Sequence, residues 1–350
     1  MIESKKTSAS VTSLSGQRRQ FESRDGSIAT VDASILPVMK RLSIRRLLLS
    51  SLGVREPHWH ANAQELGYCL RGNALMTIAD SHSVRHTFTL SPGEMFFVPS
   101  GALHHIENTG DDEAEFILAF SHEKPEDFGI SGSFGAMTDS VLANTFGLKA
   151  GDFSEFTRST TDTHIGRRAA KAIVEEQARH PDPLHYSLEA TPPQIISGSG
   201  SAHTAKKELW PALKNISMFS VRITGVGMRE PHWHPETAEM GYIASGRGRI
   251  TILSPGGHTE TFEITAGDTY FIPPAYPHHI ENLGSDTLHI LIFFDQPTPG
   301  DVGFQTLPSC FSREVLEAAF GVGDRSLPEF PMITVDPLIV PRVNPISPPG

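Results

Sequence analysis

One pattern written twice constrains this chain more than anything else in it. Arg55-Glu-Pro-His58-Trp-His60-Ala-Asn-Ala-Gln-Glu65 returns as Arg229-Glu-Pro-His232-Trp-His234-Pro-Glu-Thr-Ala-Glu239, with its two histidines and its glutamate at unchanged spacing. Each copy has a completing element. Gly93 to Asn108 carries Pro99, Gly101 and His104, and Gly267 to Asn282 carries Pro273 and His278. The offset between His58 and His232 is 174 residues. It also relates Pro37 to Pro211, Gly72 to Gly246, Phe120 to Phe294, Asp127 to Asp301 and Phe146 to Phe320, so no insertion or deletion interrupts the repeat. A repeat of domain length means a duplicated domain, because solenoid units are shorter.

Within each copy, short runs such as Met76-Thr-Ile78, Phe88-Thr-Leu90, Met95 to Val98 and Glu115 to Phe120 alternate with Gly, Pro and Asp. Short strands between turns predict an all-β sandwich or barrel. Thr138 to Phe146 and Ser312 to Phe320 read as peripheral helices, each opening at a capping hydroxyl and closing at a glycine, Gly147 or Gly321. The resulting division is an N-terminal arm over 1–25, a first domain over 26–160, a linker over 161–195, a second domain over 196–326 and a proline-rich extended tail over 327–350. Arg167 to Arg179 is expected to be a helix within the linker, ended by Pro181 and Pro183.

In a strand, residues i and i+2 share a face, so His58 and His60 point one way and Trp59 the other. Glu65 and His104 lie where the next strands can bring them to the same space, and alternation turns His105 away. The second copy repeats this with His232, His234, Glu239 and His278. Three imidazoles and a carboxylate suit Mn²⁺, Fe²⁺ or Zn²⁺ better than a thiophilic metal. A lone His-X-His is often incidental, but two copies with the same completing element point to a metal site. Arg55 and Arg229 precede each motif. Strict alternation would turn them outward to pair with Glu56 or Glu230, whereas Pro57 and Pro231 mark places where a bulge breaks alternation. Turned inward, a guanidinium beside a metal can hold a carboxylate with two hydrogen bonds. Ile106, Leu118 and Phe120, with Ile280, Ile292 and Phe294, either wall that pocket or belong to plain core.

Charge narrows the partner. Twenty-nine Lys and Arg against 40 Asp and Glu leave a formal charge of −11. An acidic chain is poorly suited to nucleic acid or an anionic membrane and better suited to a small ligand. Two cysteines, Cys69 and Cys310, are too few for a disulfide framework. With no signal-like or membrane-length apolar run, a cytoplasmic location is expected. A duplicated domain can reuse the homodimer contact of its single-domain ancestor, so the two barrels are expected to face one another about a pseudo-twofold axis, and the polar arm and proline-rich tail are suited to wrapping neighbours. A homo-oligomer is therefore expected.

These residues resemble the cupin superfamily. Its first motif is matched by His58, His60, Glu65 and Gly72 and by His232, His234, Glu239 and Gly246, and its second by Gly93, Pro99, Gly101, His104 and Asn108. Ala275 replaces the inner glycine in the second copy. The doubled Arg-Glu-X-His-Trp-His looks like the bicupin oxalate decarboxylases. That resemblance implies two tandem jelly-roll barrels and manganese, with iron as the alternative, in each domain. It further implies an arginine for a small carboxylate substrate and a mobile lid carrying an acid. The family's lid sequence is missing here, and Leu66 and Met240 stand where the family commonly has tryptophan. Asp127 and Glu126 are the carboxylates expected to replace the lid acid, although Asp301 at the matching place allows a structural role for Asp127. The implied reaction is cleavage of oxalate or a related acid. Alternatives are an iron- or manganese-dependent oxidase or dioxygenase, or a bicupin that only binds a small molecule.

Overall fold

The computed structural model describes residues 9–81, 84–323 and 325–346. Runs of apolar and β-branched residues too short for helices pair into four antiparallel sheets, two in each of two compact units.

The first unit comprises Leu14–Ala190 with Trp210–Ile216. Its seven-stranded sheet runs His185–Tyr186, Met95–Val98, Glu65–Arg71, Ala114–Phe120, Ser43–Leu49, Gly26–Val31, Arg19–Ser23. The second sheet runs Asp127–Gly129, Gly53–His60, Leu103–Asn108, Ala74–Ala79, Arg85–Leu90, and Ile165–Arg167 also pairs with Gly53–His60. The other unit repeats this order. Glu239–Ser245 and Leu288–Phe294 lie centrally in its seven-stranded sheet, and Gly227–Trp233 and His278–Asn282 in its six-stranded one. Ala114–Phe120 is buried along its whole length, the mark of a strand covered on both faces. Each unit is thus a β-barrel with a side-chain-filled interior.

Where backbones crowd, a paired glycine makes room. Gly67 faces Phe96 across the sheet and Gly241 faces Tyr270. A Cβ on Gly67 would lie 2.1 Å from the Phe96 ring, and one on Gly241 would lie 2.2 Å from that of Tyr270. The rings lie flat over the glycines, an aromatic covering a bare stretch of sheet.

The two expected helices form as Asp139–Phe146 and Arg313–Phe320. Thr138 and Ser312 cap their first turns, and Gly147 and Gly321 end them in the left-handed conformation. The helix expected over 167–179 does not form. Ile165–Arg167 is a strand on Arg55, and a single 3₁₀ turn, Glu176–Arg179, follows. Alternation of Ala and charged residues favoured helix locally, but hydrogen bonds to an open sheet edge prevail. Residues 161–190 are accordingly part of the first barrel and not a free linker.

The tail also differs from expectation, since Ile339–Pro341 pairs with Gly227–Trp233 just as Ile165–Arg167 pairs with Gly53–His60. In the arm, Arg19–Ser23 joins the first unit, while Val11–Ser13 pairs with Asp268–Ile272 in the second. Among the described residues no helix is long and apolar enough to cross a membrane. Cys69 is buried and Cys310 exposed, both free.

Gly67→Ala should lower the free energy of unfolding by about 1–3 kcal/mol, because the new methyl must displace the Phe96 ring in a filled core. Urea denaturation measures it, and an unchanged midpoint would show that the ring is not fixed there.

Candidate metal centres

A bulge decides which side chains enter each barrel. In the strand pair of Gly53–His60 with Leu103–Asn108, His104 sits opposite His58, but Ile106 sits opposite Arg55, so one extra residue is accommodated around Pro57. Arg55, out of phase with His58 by strict alternation, is thereby turned inward and is 4% exposed. The second barrel repeats this, with His278 opposite His232 and Ile280 opposite Arg229.

The inward groups converge. His58, His60, Glu65 and His104 are all buried, and each offers a ligand atom within 4.8 Å of the others; His232, His234, Glu239 and His278 do the same. Glu65 Oε2 lies 2.7 Å from His60 Nε2 and 3.2 Å from His104 Nε2. Glu239 Oε2 lies 2.9 Å from His234 Nε2 and 3.3 Å from His278 Nε2. The opposite ring nitrogens are tied to fixed acceptors. His58 Nδ1 bonds Glu56 O at 2.8 Å and His104 Nδ1 bonds Ala102 O at 2.9 Å. His232 Nδ1 bonds Glu230 O at 2.8 Å and His278 Nδ1 bonds Tyr276 O at 2.9 Å. A ring that donates through Nδ1 presents a lone pair on Nε2. With each Nδ1 engaged elsewhere, three Nε2 atoms and a carboxylate oxygen face one another, a donor set that fits a divalent cation.

Electrostatics agree. Burial, reinforced by Arg55, holds His58 well below the usual imidazole range, and burial, reinforced by Arg229, does the same to His232. Both are neutral, as ligands must be. Burial alone would raise Glu65, but hydrogen bonds from His104 and His60 hold it well below the carboxylate range. Glu239 is likewise pulled well below by its three histidines.

The two centres differ around this shared frame. His60 Nδ1 bonds the carboxylate of Asp127 at 2.8 Å, whereas His234 Nδ1 bonds the backbone carbonyl of Gly300 at 2.7 Å. Asp127 also takes Arg45 at 2.5 Å and Arg55 at 3.4 Å. Asp301, its counterpart, pairs with Arg229 alone and leaves Oδ1 without a partner. In the second barrel, Tyr270 donates to Glu239 Oε1 at 2.7 Å, a contact the phenyl ring of Phe96 cannot make.

The acids expected to move do not have the freedom for it. Asp127 lies in the strand Asp127–Gly129, paired with His60, and both its oxygens are engaged. Arg45 and His60 overcome its burial and hold it far below the carboxylate range, so it carries no proton to give. Glu126 is exposed, with its backbone fixed by Asn62 and Ala61.

Instead, the segment nearest Arg55 is one that periodicity does not single out. His164, at a φ of 59°, accepts Arg55 Nη1 on its carbonyl at 3.0 Å, and its own N–H donates to Glu56 at 2.5 Å. Glu56, Asp162 and His164 offer a third close cluster. Leu338 and Asp336 stand at the same places in the second barrel, and Leu338 O receives Arg229 Nη1 at 2.9 Å. The 174-residue offset, followed beyond Phe146 to Asp162/Asp336 and Ile165/Ile339, was the signal that could have located this segment.

In the second barrel, Glu230 Oε1 and Asp336 Oδ2 find no donor among the described residues, and burial together with the neighbouring Asp336 carboxyl raises Glu230 to about 8. An acid raised from 4.5 stabilises the fold fully below its unfolded value and loses that contribution as pH rises through the folded one. Metal-stripped protein should therefore lose stability progressively as pH rises from about 4.5 to about 8. Urea midpoints across that range check this, and Glu230→Gln should flatten the decline.

Comparison with known proteins agrees with this architecture. The cupin family profile matches residues 12–152 and 186–326. The oxalate decarboxylase OxdC of Bacillus subtilis is 28% identical over 295 residues, covering 82% of this chain and 76% of the relative. An oxalate decarboxylase of Arthroderma benhamiae is 27% identical over 323 residues, covering 83% and 75%. The structure of the Bacillus subtilis enzyme at pH 4.6 superposes with a TM-score of 0.85 at 26% identity, covering 95% of this chain and 87% of that one. Another structure of that enzyme, from work on its Mn(II) centres, has the same TM-score and identity and covers 95% and 88%. With both halves matched and each barrel carrying its own three-histidine, one-glutamate cluster, the chain belongs to the cupin family.

Proposed function

We propose that this protein is a manganese-dependent lyase acting on oxalate or a closely related small carboxylate. The observation that carries the reading is a buried guanidinium beside a four-acceptor cluster in one enclosed cavity, lined by Arg55, His58, Glu65, Ile106, Leu118 and Phe120 among others. His58, His60, Glu65 and His104 would hold one manganese, and His232, His234, Glu239 and His278 the other. When bound, manganese supplies a Lewis acid and a one-electron couple.

The chain's own residues do the rest. Arg55 is oriented by His164 O and Asp127, and its fork grips a carboxylate and keeps the scissile bond beside the cluster. The apolar wall excludes water that would otherwise deliver protons without control. Asp127 serves as a fixed acceptor that positions Arg55 and His60. Proton delivery falls to the Glu56, Asp162 and His164 cluster, which Arg55 meets through its hydrogen bond to His164 O. The relatives named oxalate decarboxylase support the choice of substrate. A cytoplasmic homo-oligomer is the setting we propose for this activity.

The engaged state of Asp127 favours one second reading. A centre with no swinging acid would suit an oxidase that uses dioxygen and leaves peroxide in place of formate.

Four experiments decide. Manganese-loaded protein should release formate and CO₂ from oxalate at mildly acidic pH; peroxide with no formate would move the assignment to the oxidase. His60→Ala and His234→Ala should each lower the metal content at their own site, and unchanged stoichiometry in both would sink the ligand assignment. Arg55→Lys should reduce turnover by roughly 10²-fold, because an ammonium cannot reproduce the two-pronged grip. Asp162→Asn should do likewise by removing the acid, and full activity in that variant would return the proton donor to another group.

A further inference from the structure

The first cavity contains a second arginine that no motif announces. Arg45, on strand Ser43–Leu49, is 6% exposed and lines the same cavity as Arg55, His58 and Glu65. Its guanidinium lies 4.6 Å over the Phe120 ring and pairs with Asp127 through Nη1, while among the described residues Nε has no hydrogen-bond partner. The residue 174 positions on is Phe219, which packs edge-on against Phe294, the counterpart of Phe120, with centroids 4.9 Å apart. One barrel has a cation where the other has a benzene ring.

Charge balance turns that difference into a preference. In the first barrel Arg45 and Arg55 stand against Asp127 and Glu65, two cations and two anions, for a sum of zero. In the second, Arg229 stands alone against Asp301 and Glu239, for a sum of −1. The sum covers the arginines, their carboxylate partners and the ligand glutamate of each cluster. The extra guanidinium beside Arg55 favours a second negative charge on the ligand of the first pocket, where the second pocket offers Arg229 alone. The access differs as well. The first cavity is enclosed at about 10 Å³, whereas the second, about 20 Å³, shares Phe219, His234, Asp301 and Leu338 with an outer pocket of about 280 Å³ that also holds Lys206.

We propose that Arg45 is a substrate-binding, specificity-determining residue of the first barrel, which with Arg55 grips both ends of a small dicarboxylate, while the second barrel, with Phe219 in its place, takes monoanions. On binding, the free Nε donates to the second carboxylate while Nη1 remains on Asp127. This rests on the decarboxylase reading only in naming oxalate as the dianion.

The test is calorimetric titration of the manganese-loaded full chain with oxalate and with formate, the formate in the cell being assayed after each run so that turnover is counted separately. Wild type should bind oxalate at one site per chain and prefer it to formate. Arg45→Phe, which installs the second barrel's residue, should weaken oxalate by roughly 10- to 100-fold while formate stays within about threefold, the scale of one lost charged hydrogen-bonding partner. Arg45→Lys keeps the charge opposite Asp127 and should weaken oxalate less. That variant decides the matter if Arg45→Phe fails to fold. Either variant with the wild-type ratio of oxalate to formate affinity, both anions weakened equally, or no oxalate binding by wild type would overturn the assignment. Arg45-dependent binding without formate release would leave this inference standing and remove the decarboxylase reading; formate release indifferent to Arg45 would do the reverse.

Discussion

Everything in the two centres depends on one extra residue per strand. A regular strand carrying Arg-Glu-Pro-His-Trp-His would put its arginine and its histidines on opposite faces, and no cavity could contain both. Proline supplies the break, since it has no N–H for the ladder and is tolerated where pairing is already interrupted. The register therefore slips between His104 and Ile106, and again between His278 and Ile280. An edge segment then covers each bulge: Glu56 N–H donates to His164 O, and Glu230 N–H to Leu338 O. The bulge gives the site its composition, and the covering strand gives it a roof.

Duplication preserved that frame and let its surroundings diverge. Each of the three imidazoles in a barrel has an anchored Nδ1, so ligand geometry is held by backbone carbonyls at five of six rings. The sixth, His60, is anchored by Asp127. A carboxylate makes the imidazole a stronger donor than a carbonyl does, so metals held identically in distance would still differ in electron density. On the other side, Tyr270 withdraws density from Glu239 by donating to its free oxygen. Both changes point the same way, toward a more electron-rich first centre and a less electron-rich second.

The ligands were legible in sequence because they obey short-range rules. His58 and His60 share a face by period two, and Glu65 and His104 are placed by the adjoining turns. Arg55 was legible as a choice between two faces, which Pro57 suggested and the register resolved. Arg45 was not legible, because Ser43–Leu49 is buried almost throughout and alternation is informative only when one face is wet. The stretch 167–179 was misread as helix for a related reason. Its local composition favours helix, but what fixes Ile165–Arg167 is the unpaired edge of a strand more than a hundred positions earlier. The tail over 327–350 reads as an extended segment suited to wrapping neighbours, whereas Ile339–Pro341 pairs with Gly227–Trp233 of the second barrel.

The missing lid is then a matter of where a chain can afford motion. Asp127 follows the last strand closely and is used at once, by Arg45, Arg55 and His60, so the first loop that could carry an acid is already part of the frame. Freeing it would expose two buried guanidiniums to an uncompensated cavity, a cost of about 3–5 kcal/mol for a broken buried pair. The later segment is tied to Arg55 and Glu56 at His164 and is held by fewer bonds before it. Asp162 is held by one backbone donor, Gly129 N–H, and Thr163 by the hydroxyl of Ser131, contacts that water can replace. His164 sits in the left-handed region, a conformation a non-glycine residue leaves readily once its hydrogen bonds are released. On the proposed reading, the strand-entry segment ending at His164 is the one that carries the acid, Asp162, beside the first centre.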